Sequence, residues 1–323
     1  MHRIVAVTPA GRKRYLELLA HYVLADVTLE EWQLWDNCRD PRDRVFLEEL
    51  AQRHPGRVKL VRLPGADGGL RSINRFYPTL NDPNAFYIKL DDDIVWLPRH
   101  FGARLYQQAA AERTQYIWWS PLIINNALCS WLLKYYSQVS IDADLTAQAG
   151  CVHAWRSPAF AVHLHRAFME AVRSRALDAF EVPDFAVSLA RFSINCIGFF
   201  GSDVLRLGAA FCPTEVDDEE WISAVLPSRV GRPGRIAGHL PVSHFSFYTQ
   251  EHHLIASGVL DEYYRLAGLQ PGRFEIPPLP FKHRLKRHLI ARWLEARDAY
   301  VIALPNGDRP ESGALQCLTP SQQ

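Results

Sequence analysis

The chain has 323 residues, of which 48% are hydrophobic, and its 36 Lys and Arg nearly balance its 35 Asp and Glu. This apolar share excludes a mostly disordered chain, because such chains bury too little apolar surface to offset the entropy of ordering. The balanced charge argues against a dedicated nucleic-acid-binding protein, which usually carries a marked basic excess. No apolar run is long enough to predict a membrane span or a signal peptide. The six cysteines contain no CxxC pair, so we expect reduced thiols in a cytoplasmic protein.

The first 120 residues alternate strand and helix patterns with short connections. Short apolar runs predict strands, and apolar residues that recur on one helical face predict helices. The predicted strands are residues 3–8, 31–35, 58–63, 85–90 and 115–119, and the predicted helices are residues 11–23, 41–54, 70–77 and 98–111. This alternation predicts an α/β fold with a mostly parallel central sheet flanked by helices. Ligands of such sheets bind where the strands end.

The second half of the chain is less regular. Helices are predicted over residues 125–136 and 157–174, strands over 192–200 and 241–248, and a loop over 139–154. Prolines at positions 277, 278 and 280 mark a boundary. We therefore expect one domain over residues 1–280, with halves 1–120 and 121–280, then a basic amphipathic helix over 281–304 and a disordered tail over 305–323.

Three adjacent carboxylates, Asp91, Asp92 and Asp93, follow the predicted strand 85–90. Adjacent carboxylates repel one another, so gathering them costs free energy unless a cation compensates. Oxygen ligands at a strand end suit Mg²⁺ or Mn²⁺, and in an extended chain Asp91 and Asp93 point to the same side. Acidic runs are commonly solvated turns, but this one lies between apolar segments, which favours a functional site.

Two further features leave alternatives open. The acidic run from Asp217 to Glu220 is explained equally well by a helix N-terminus, where carboxylates complement the helix dipole, and by a general base for a hydroxyl. His244 lies among apolar residues, where a lone histidine is more often part of the core. Its position at the end of a strand leaves a metal-ligand role open. The other histidines show no metal-ligand spacing, and His163, His165, His252 and His253 are expected at the surface, on helices or loops.

The first predicted strand runs into a turn and a helix start that is rich in basic residues, from Pro9 to Arg14. Backbone N–H groups and cations at a helix start favour an anion such as a nucleotide phosphate, and a solvated basic helix start explains the pattern as well. Neither a GxGxxG nor a GxxxxGK[ST] motif follows this strand. Residues 35–37 end the second strand, where the edge of a nucleobase could be read.

Taken in order, these features resemble the glycosyltransferases of the GT-A fold, close to the large inverting family that includes many bacterial polysaccharide and lipopolysaccharide enzymes. The resemblance spans residues 3–250 and rests on IVAVTPAGRKRYLE, on the DxD-like triplet in YIKLDDDIVWL, on NNAL, and on DDEEW with HFSFYTQ. It implies a GT-A-like catalytic domain whose first 120 residues bind a nucleotide sugar and whose remainder binds the acceptor. The second acidic pair reads Asp-Asp instead of the family's Glu-Asp, which leaves the identity of the base open.

The resemblance also implies roles for individual residues. Asp218 would be the general base, with Glu219 as its neighbouring competitor, in a transfer that inverts the anomeric carbon. Mn²⁺ or Mg²⁺ would be held by Asp91, Asp93 and His244. The nucleotide would contact Thr8, Pro9, Gly11, Arg12, Asp36, Asn37, Lys89, Asp91 and Asp92.

The implied donor is a nucleoside diphosphate sugar, most simply a UDP-sugar, and the implied acceptor is a glycan or a lipid-linked sugar. The basic helix predicted over residues 281–304 could touch the inner face of a membrane, where lipid-linked acceptors reside, and a solvated helix face explains it too. Two rival functions stay open. One is a metal-dependent nucleotidyltransferase, which would release pyrophosphate, and the other is an inactive GT-A domain that only binds sugars.

Overall fold

The protein, seen in a computed structural model, is described over residues 2–65, 68–69, 72–188, 190–272 and 301–305. Its strands are β1 (Arg3–Ala10), β2 (Glu31–Asp36), β3 (Val58–Val61), β4 (Ala85–Leu90), β5 (Ile94–Trp96), β6 (Trp118–Ile124), β7 (Ser140–Asp142), β8 (Phe185–Val187), β9 (Cys196–Phe200), β10 (Gly234–His244) and β11 (Val301–Ala303).

Helices occupy most of the connections between these strands. They are α1 (Lys13–Ala25), α2 (Pro41–Arg53), α3 (Phe101–Ala111), α4 (Ala127–Tyr136), α5 (Val152–Arg156), α6 (Pro158–Ser174), α7 (Gly201–Leu207), α8 (Asp218–Glu220), α9 (Leu226–Val230), α10 (Glu251–Ala256) and α11 (Val259–Leu266). Short 3-10 helices span Ile73–Thr79, Leu177–Phe180 and Gly208–Ala210, and a π-helical turn, Trp221–Val225, joins α8 to α9.

Nine strands form one mostly parallel sheet, as the sequence predicts. Their order is β3-β2-β1-β4-β9-β6-β10-β5, and β8 pairs with β10. Strands β1, β2, β3, β4, β6 and β10 run in one direction, while β5, β8 and β9 run against them. The carboxyl ends of the six parallel strands therefore lie at one edge of the sheet, where ligands of α/β proteins bind.

The two predicted halves share this sheet, because β9 from the second half lies between β4 and β6 from the region before residue 125. Strand β4 is buried along its whole length, which explains why its sequence AFYIKL is a continuous apolar run broken only by Lys89. Several of the nine tryptophans fill the core, and those less than 2% exposed are Trp32, Trp35, Trp118 and Trp119.

The sequence prediction was wrong for several elements. Strand β10 begins at Gly234, not at Pro241, because a register shift between Ala237 and Pro241 lets the strand pass the proline. Strand β5 was not predicted, since its three residues directly follow the acidic triplet. The predicted loop 139–154 contains β7 and the start of α5.

The predicted basic helix over 281–304 and the predicted tail over 305–323 fall largely outside the described residues. At the end of that helix prediction the chain differs from it, because Val301–Ala303 form a strand that pairs antiparallel with β7. Within the described ranges, no helix combines the length and apolar character needed to cross a membrane.

Candidate metal and catalytic site

The acidic triplet forms the link between β4 and β5, at the edge where the parallel strands end. Strand β5 then pairs antiparallel with the end of β10, which sets Ile94 opposite His244. The backbone N–H of Phe245 also donates to the carbonyl oxygen of Asp93, at 2.8 Å. This pairing brings His244, about 150 residues later in the chain, against the triplet.

Asp91, Asp93 and His244 form a group that could hold a metal ion. One potential ligand atom from each lies within 4.8 Å of the other two, and Asp93 and His244 are buried. His244 Nδ1 lies 3.2 Å from the carbonyl oxygen of Asn125, and Nε2 lies 3.5 Å from Asp93 Oδ2. A proton on Nδ1 that is donated to this carbonyl leaves the Nε2 lone pair directed at the carboxylates, as in metal-binding histidines. Two carboxylates and one imidazole fit Mn²⁺ or Mg²⁺.

The electrostatics of Asp93 favour its charged form. Burial alone would raise its pKa, but Arg12 and His244 beside it outweigh burial and hold the pKa well below the ordinary value. Burial likewise acts to lower the pKa of His244, and the charge of Asp93 outweighs it, so that the pKa is raised. A charged Asp93 is the form that a metal ion requires.

Asp92 faces the other way, towards the turn between β1 and α1. Its Oδ2 accepts the backbone N–H of Gly11 at 3.1 Å, and its Oδ1 accepts Arg12 Nε at 3.0 Å as well as Arg12 Nη2. Burial dominates its electrostatics and raises its pKa. Asp92 therefore ties the first turn of the chain to the end of β4.

Asp91 accepts hydrogen bonds from Lys89 and Asn195. Lys89 Nζ donates to Asp91 Oδ1 at 2.6 Å and to the carbonyl oxygen of Ile194 at 3.0 Å. Asn195 Nδ2 donates to Asp91 Oδ2 at 3.2 Å. Burial acts to lower the pKa of Lys89, but Asp91 and then Asp218 outweigh it and raise the pKa, so the buried ammonium stays charged. Lys89, predicted as a nucleotide contact, is thus engaged with Asp91 and the backbone.

The second acidic run begins helix α8, as one of its two interpretations predicts, and the general-base role stays a prediction. Asp217 caps α8, since its Oδ1 accepts the backbone N–H of Glu220 at 3.0 Å. Asp218 lies 3.5 Å from the hydroxyl of Tyr77 and close enough to Lys89 and Asp91 for their charges to act on it. Burial raises the pKa of Asp218.

Glu219, the competing candidate for the base, turns towards a different partner. Its Oε1 accepts Arg191 Nε at 2.7 Å, and the same guanidinium contacts Asp217 at 3.1 Å. Burial raises the pKa of Glu219, against the opposing effect of Arg191. Both carboxylates act on the charge of Lys89, Asp218 more strongly than Glu219, and the charge of Asp91 acts on Asp218 as well.

The predicted nucleotide contacts near the start of the chain lie either within β1 or directly after it. Thr8 is fully buried and its hydroxyl accepts Trp32 Nε1 at 2.9 Å, while Pro9 is also buried. Gly11 lies where the chain leaves β1, and an added Cβ would come within 3.1 Å of the carbonyl oxygen of Asn37. Gly11 and Arg12 are therefore the members of this set that lie beside the acidic triplet.

Asp36 and Asn37, at the end of β2, also have partners within the protein. Asp36 Oδ2 accepts Arg44 Nε at 2.9 Å and Arg62 Nε at 3.1 Å. Burial would raise the pKa of Asp36, but these arginines lower it below its ordinary value. Asn37 accepts the hydroxyl of Ser72 at 2.5 Å. A base-reading role for Asp36 would have to act alongside this ion pair.

Asn125 and Asn126 support the site, and the NNAL match was the only feature of the sequence that pointed to them. Asn126 caps α4 and donates to Asn195 Oδ1 at 3.2 Å, which continues the hydrogen-bond chain to Asp91. Asn125 has φ of 63° and donates to the carbonyl oxygen of Phe245 at 2.8 Å. An asparagine directly before a helix is a known capping signal, so Asn126 could have been predicted from the sequence.

The prediction that His165 lies at the surface was wrong. It is fully buried, and burial lowers its pKa to about 3. Its ring nitrogens lie 2.8 Å from the hydroxyl of Tyr263 and 2.8 Å from the carbonyl oxygen of Phe245. It packs behind the strand end that carries His244.

Aromatic side chains continue outwards from His244. The ring of Phe247 lies 5.2 Å from the His244 ring, and the ring of Trp155 lies 6.2 Å from Phe247. Tyr248 packs edge-on against Trp155, with ring centroids 5.3 Å apart, and is 62% exposed. We call Trp155, Phe247 and Tyr248 the aromatic patch.

Comparisons with known proteins give remote similarities of fold. No protein-family profile and no curated protein sequence matches the chain. Similar solved structures include 4-diphosphocytidyl-2C-methyl-D-erythritol synthase from Anaerococcus prevotii (12% identity, TM-score 0.41, covering 80% of this chain and 95% of that one). Others are GalNAc-T7 with UDP, GalNAc and Mn²⁺ (13%, 0.44, 82% and 48%) and residues 1–349 of TarS from S. aureus (11%, 0.42, 82% and 71%). At these identities and TM-scores the likeness does not decide the chemistry of this chain.

Proposed function

We propose that the protein is a metal-dependent glycosyltransferase that moves a sugar from a nucleoside diphosphate sugar to an acceptor hydroxyl, with inversion of the anomeric carbon. One observation carries the proposal. The potential metal ligands Asp91, Asp93 and His244 converge within 4.8 Å, near Asp218, on which the charges of Lys89 and Asp91 both act. A cation-binding group beside a buried carboxylate is what this transfer needs.

Each part of the site then has a chemical task. Asp91, Asp93 and His244 would hold Mn²⁺ or Mg²⁺, which would supply positive charge for the leaving diphosphate. Asp218 accepts the proton of the attacking hydroxyl, and its raised pKa makes it a stronger base than an ordinary aspartate. Lys89 donates to Asp91, and its positive charge opposes the effect of burial on Asp218, so one buried ammonium acts on both carboxylates. Gly11 and Arg12 meet the diphosphate at the start of α1.

The acceptor in this proposal is a sugar, either in a glycan or attached to a lipid. The aromatic patch supports it, because flat apolar rings with polar edges suit sugar faces and this patch adjoins His244 through Phe247. For the donor base we propose uracil, held near Asn37 at the end of β2. A location at the inner face of a membrane belongs to the same proposal, through the basic segment 281–304.

A panel of sugar nucleotides, assayed for hydrolysis and transfer with Mn²⁺, tests the function directly. The full-length protein should release a nucleoside diphosphate from one class of donor. Asp93→Ala and Asp218→Asn should each lower turnover by about 10²-fold or more while the proteins stay folded, since general-base help alone is worth about 10²–10⁴-fold. Asp217→Asn is the matched control, because asparagine caps a helix as well as aspartate does, and it should keep its turnover.

The products separate the rival functions. Release of pyrophosphate from a nucleoside triphosphate would instead establish a nucleotidyltransferase. Nucleotide binding without turnover of any donor, in a protein that still binds sugars, would favour an inactive sugar-binding domain. Wild-type turnover in both Asp93→Ala and Asp218→Asn would refute the proposed site.

A further inference from the structure

Arg12 lies against the group of potential metal ligands formed by Asp91, Asp93 and His244. Its Nη2 contacts Asp92 Oδ1 and lies 3.0 Å from Asp93 Oδ2. Asp93 Oδ2 is also the oxygen that faces His244 Nε2, at 3.5 Å. The guanidinium therefore supplies positive charge to one of the three side chains that would ligate a metal.

The Arg12 side chain is placed where it can change partners. It starts at the residue before α1, is 34% exposed, and its Nη1 is 3.7 Å from Glu251. Asp92, which is not a member of the potential ligand group, accepts Arg12 Nε at 3.0 Å and so anchors the base of the guanidinium. The outer nitrogens reach Asp93 from this anchor. Planar guanidinium groups bind phosphate oxygens in pairs, which an ammonium does not do.

We propose that Arg12 is a displaceable counter-cation: it neutralises Asp93 when the site is empty and turns to the diphosphate when the donor binds. A divalent ion held by Asp93 would bring like charge against the guanidinium, so the ion binds weakly until an anion draws Arg12 away. The ion and the diphosphate therefore bind cooperatively, and each binds more weakly without the other. This inference rests on the proposed function, because it takes Asp91, Asp93 and His244 as the metal group.

Binding of Mn²⁺ to the full-length protein, measured by calorimetry with and without UDP, tests this coupling. The wild type should bind Mn²⁺ about tenfold or more tightly when UDP is present, within the usual range of coupling between two ligands. Arg12→Gln should bind Mn²⁺ alone more tightly than the wild type, and UDP should improve its binding much less. Arg12→Met removes the same charge and should repeat both results.

Arg14→Gln is the matched control for the loss of a positive charge near the start of α1. Arg14 pairs with Glu251, and none of its contacts in the described residues reaches the acidic triplet. This variant should bind Mn²⁺ alone as the wild type does, and it should keep the wild-type coupling between Mn²⁺ and UDP. Thermal unfolding of each variant confirms that binding is measured on folded protein, and the wild-type coupling stands as a test if a variant does not fold.

Two kinds of failure can be told apart. Mn²⁺ binding that is equal or weaker in folded Arg12→Gln and Arg12→Met, or a wild type without coupling to UDP, would overturn the role of Arg12 while leaving the metal site intact. Absence of Mn²⁺ binding in the wild type and all variants, with or without UDP, would overturn the metal site itself and with it the proposed function.

Discussion

Replacing Asn125 with alanine should destabilise the protein and weaken its metal site together. Asn125 is fully buried at the end of β6, has φ of 63°, and its carbonyl oxygen faces His244 Nδ1 at 3.2 Å. Its side chain donates to the carbonyl oxygen of Phe245 at 2.8 Å and to Gln250 Oε1 at 3.1 Å. The residue thus fixes the strand end that carries His244.

The magnitude follows from three contributions. The two lost hydrogen bonds cost about 1 kcal/mol each, because neither acceptor is left without a donor. The carbonyl oxygen of Phe245 still accepts from His165, and Gln250 Oε1 still accepts from the N–H of Phe247. The left-handed backbone costs alanine about 1 kcal/mol that asparagine largely avoids. Asn125 Oδ1 is buried without a partner among the described residues, and its removal returns about 1 kcal/mol. The net loss is about 2 kcal/mol, or a fall in Tm of about 3 °C for a chain of 323 residues.

Thermal unfolding in the presence of a chelator measures the stability term, and Mn²⁺ titration measures the site. Asn125→Gly loses the same hydrogen bonds but tolerates the positive φ, so it should be about 1 kcal/mol more stable than Asn125→Ala. The alanine variant should lose about 10–100-fold in Mn²⁺ affinity, as is typical when a group that orients a metal-binding histidine is disturbed. A glycine variant less stable than the alanine variant, or an unchanged Tm in both, would refute the reasoning.

Three further predictions concern the proposed base, Asp218, and the packing of Gly201 against Asp82. Asp218→Asn should raise the free energy of unfolding at pH 7 by about 0.5–2 kcal/mol in calorimetry, because burial disfavours the charged carboxylate; a lower value would contradict this. For the same reason transfer should decline, as pH falls, through a pKa above the ordinary 3.8 of an aspartate, which a pH–rate profile at saturating donor measures. Gly201→Ala should cost about 1–3 kcal/mol in urea unfolding, because its Cβ would meet the backbone oxygen of Asp82 at 2.0 Å, whereas Gly150→Ala, with nothing within 4 Å, should cost nothing.

The parallel part of the sheet could be predicted because buried strands have continuous apolar sequences. Strand β4 was predicted to the residue, and β1 and β2 to within two residues at each end. Asp91–Asp93 follow β4 directly, so the predicted strand also located them at the edge where the parallel strands end. Local sequence was sufficient here, since each strand contains its own burial signal.

The remainder of the site depends on pairings between distant residues. His244 reaches the triplet only because β5, a strand of three residues, pairs with the end of β10. Asn195 reaches Asp91 only because the segment before β9 runs antiparallel beside β4. Periodicity reports which face of an element is apolar, not which other element covers it, so neither contact could be read from the sequence.

The three adjacent aspartates are identical in the sequence, but their contacts in the structure differ. Gathered carboxylates require a compensating cation, and the sequence pattern predicts that a metal supplies it. In the structure each carboxylate already has a cationic side chain of the protein beside it: Lys89 at Asp91, and Arg12 at both Asp92 and Asp93. The acidic triplet alone is therefore not the evidence for a metal. That evidence is the orientation of His244, whose Nδ1 is turned to a backbone carbonyl so that Nε2 faces Asp93, within a group of three ligand atoms no more than 4.8 Å apart.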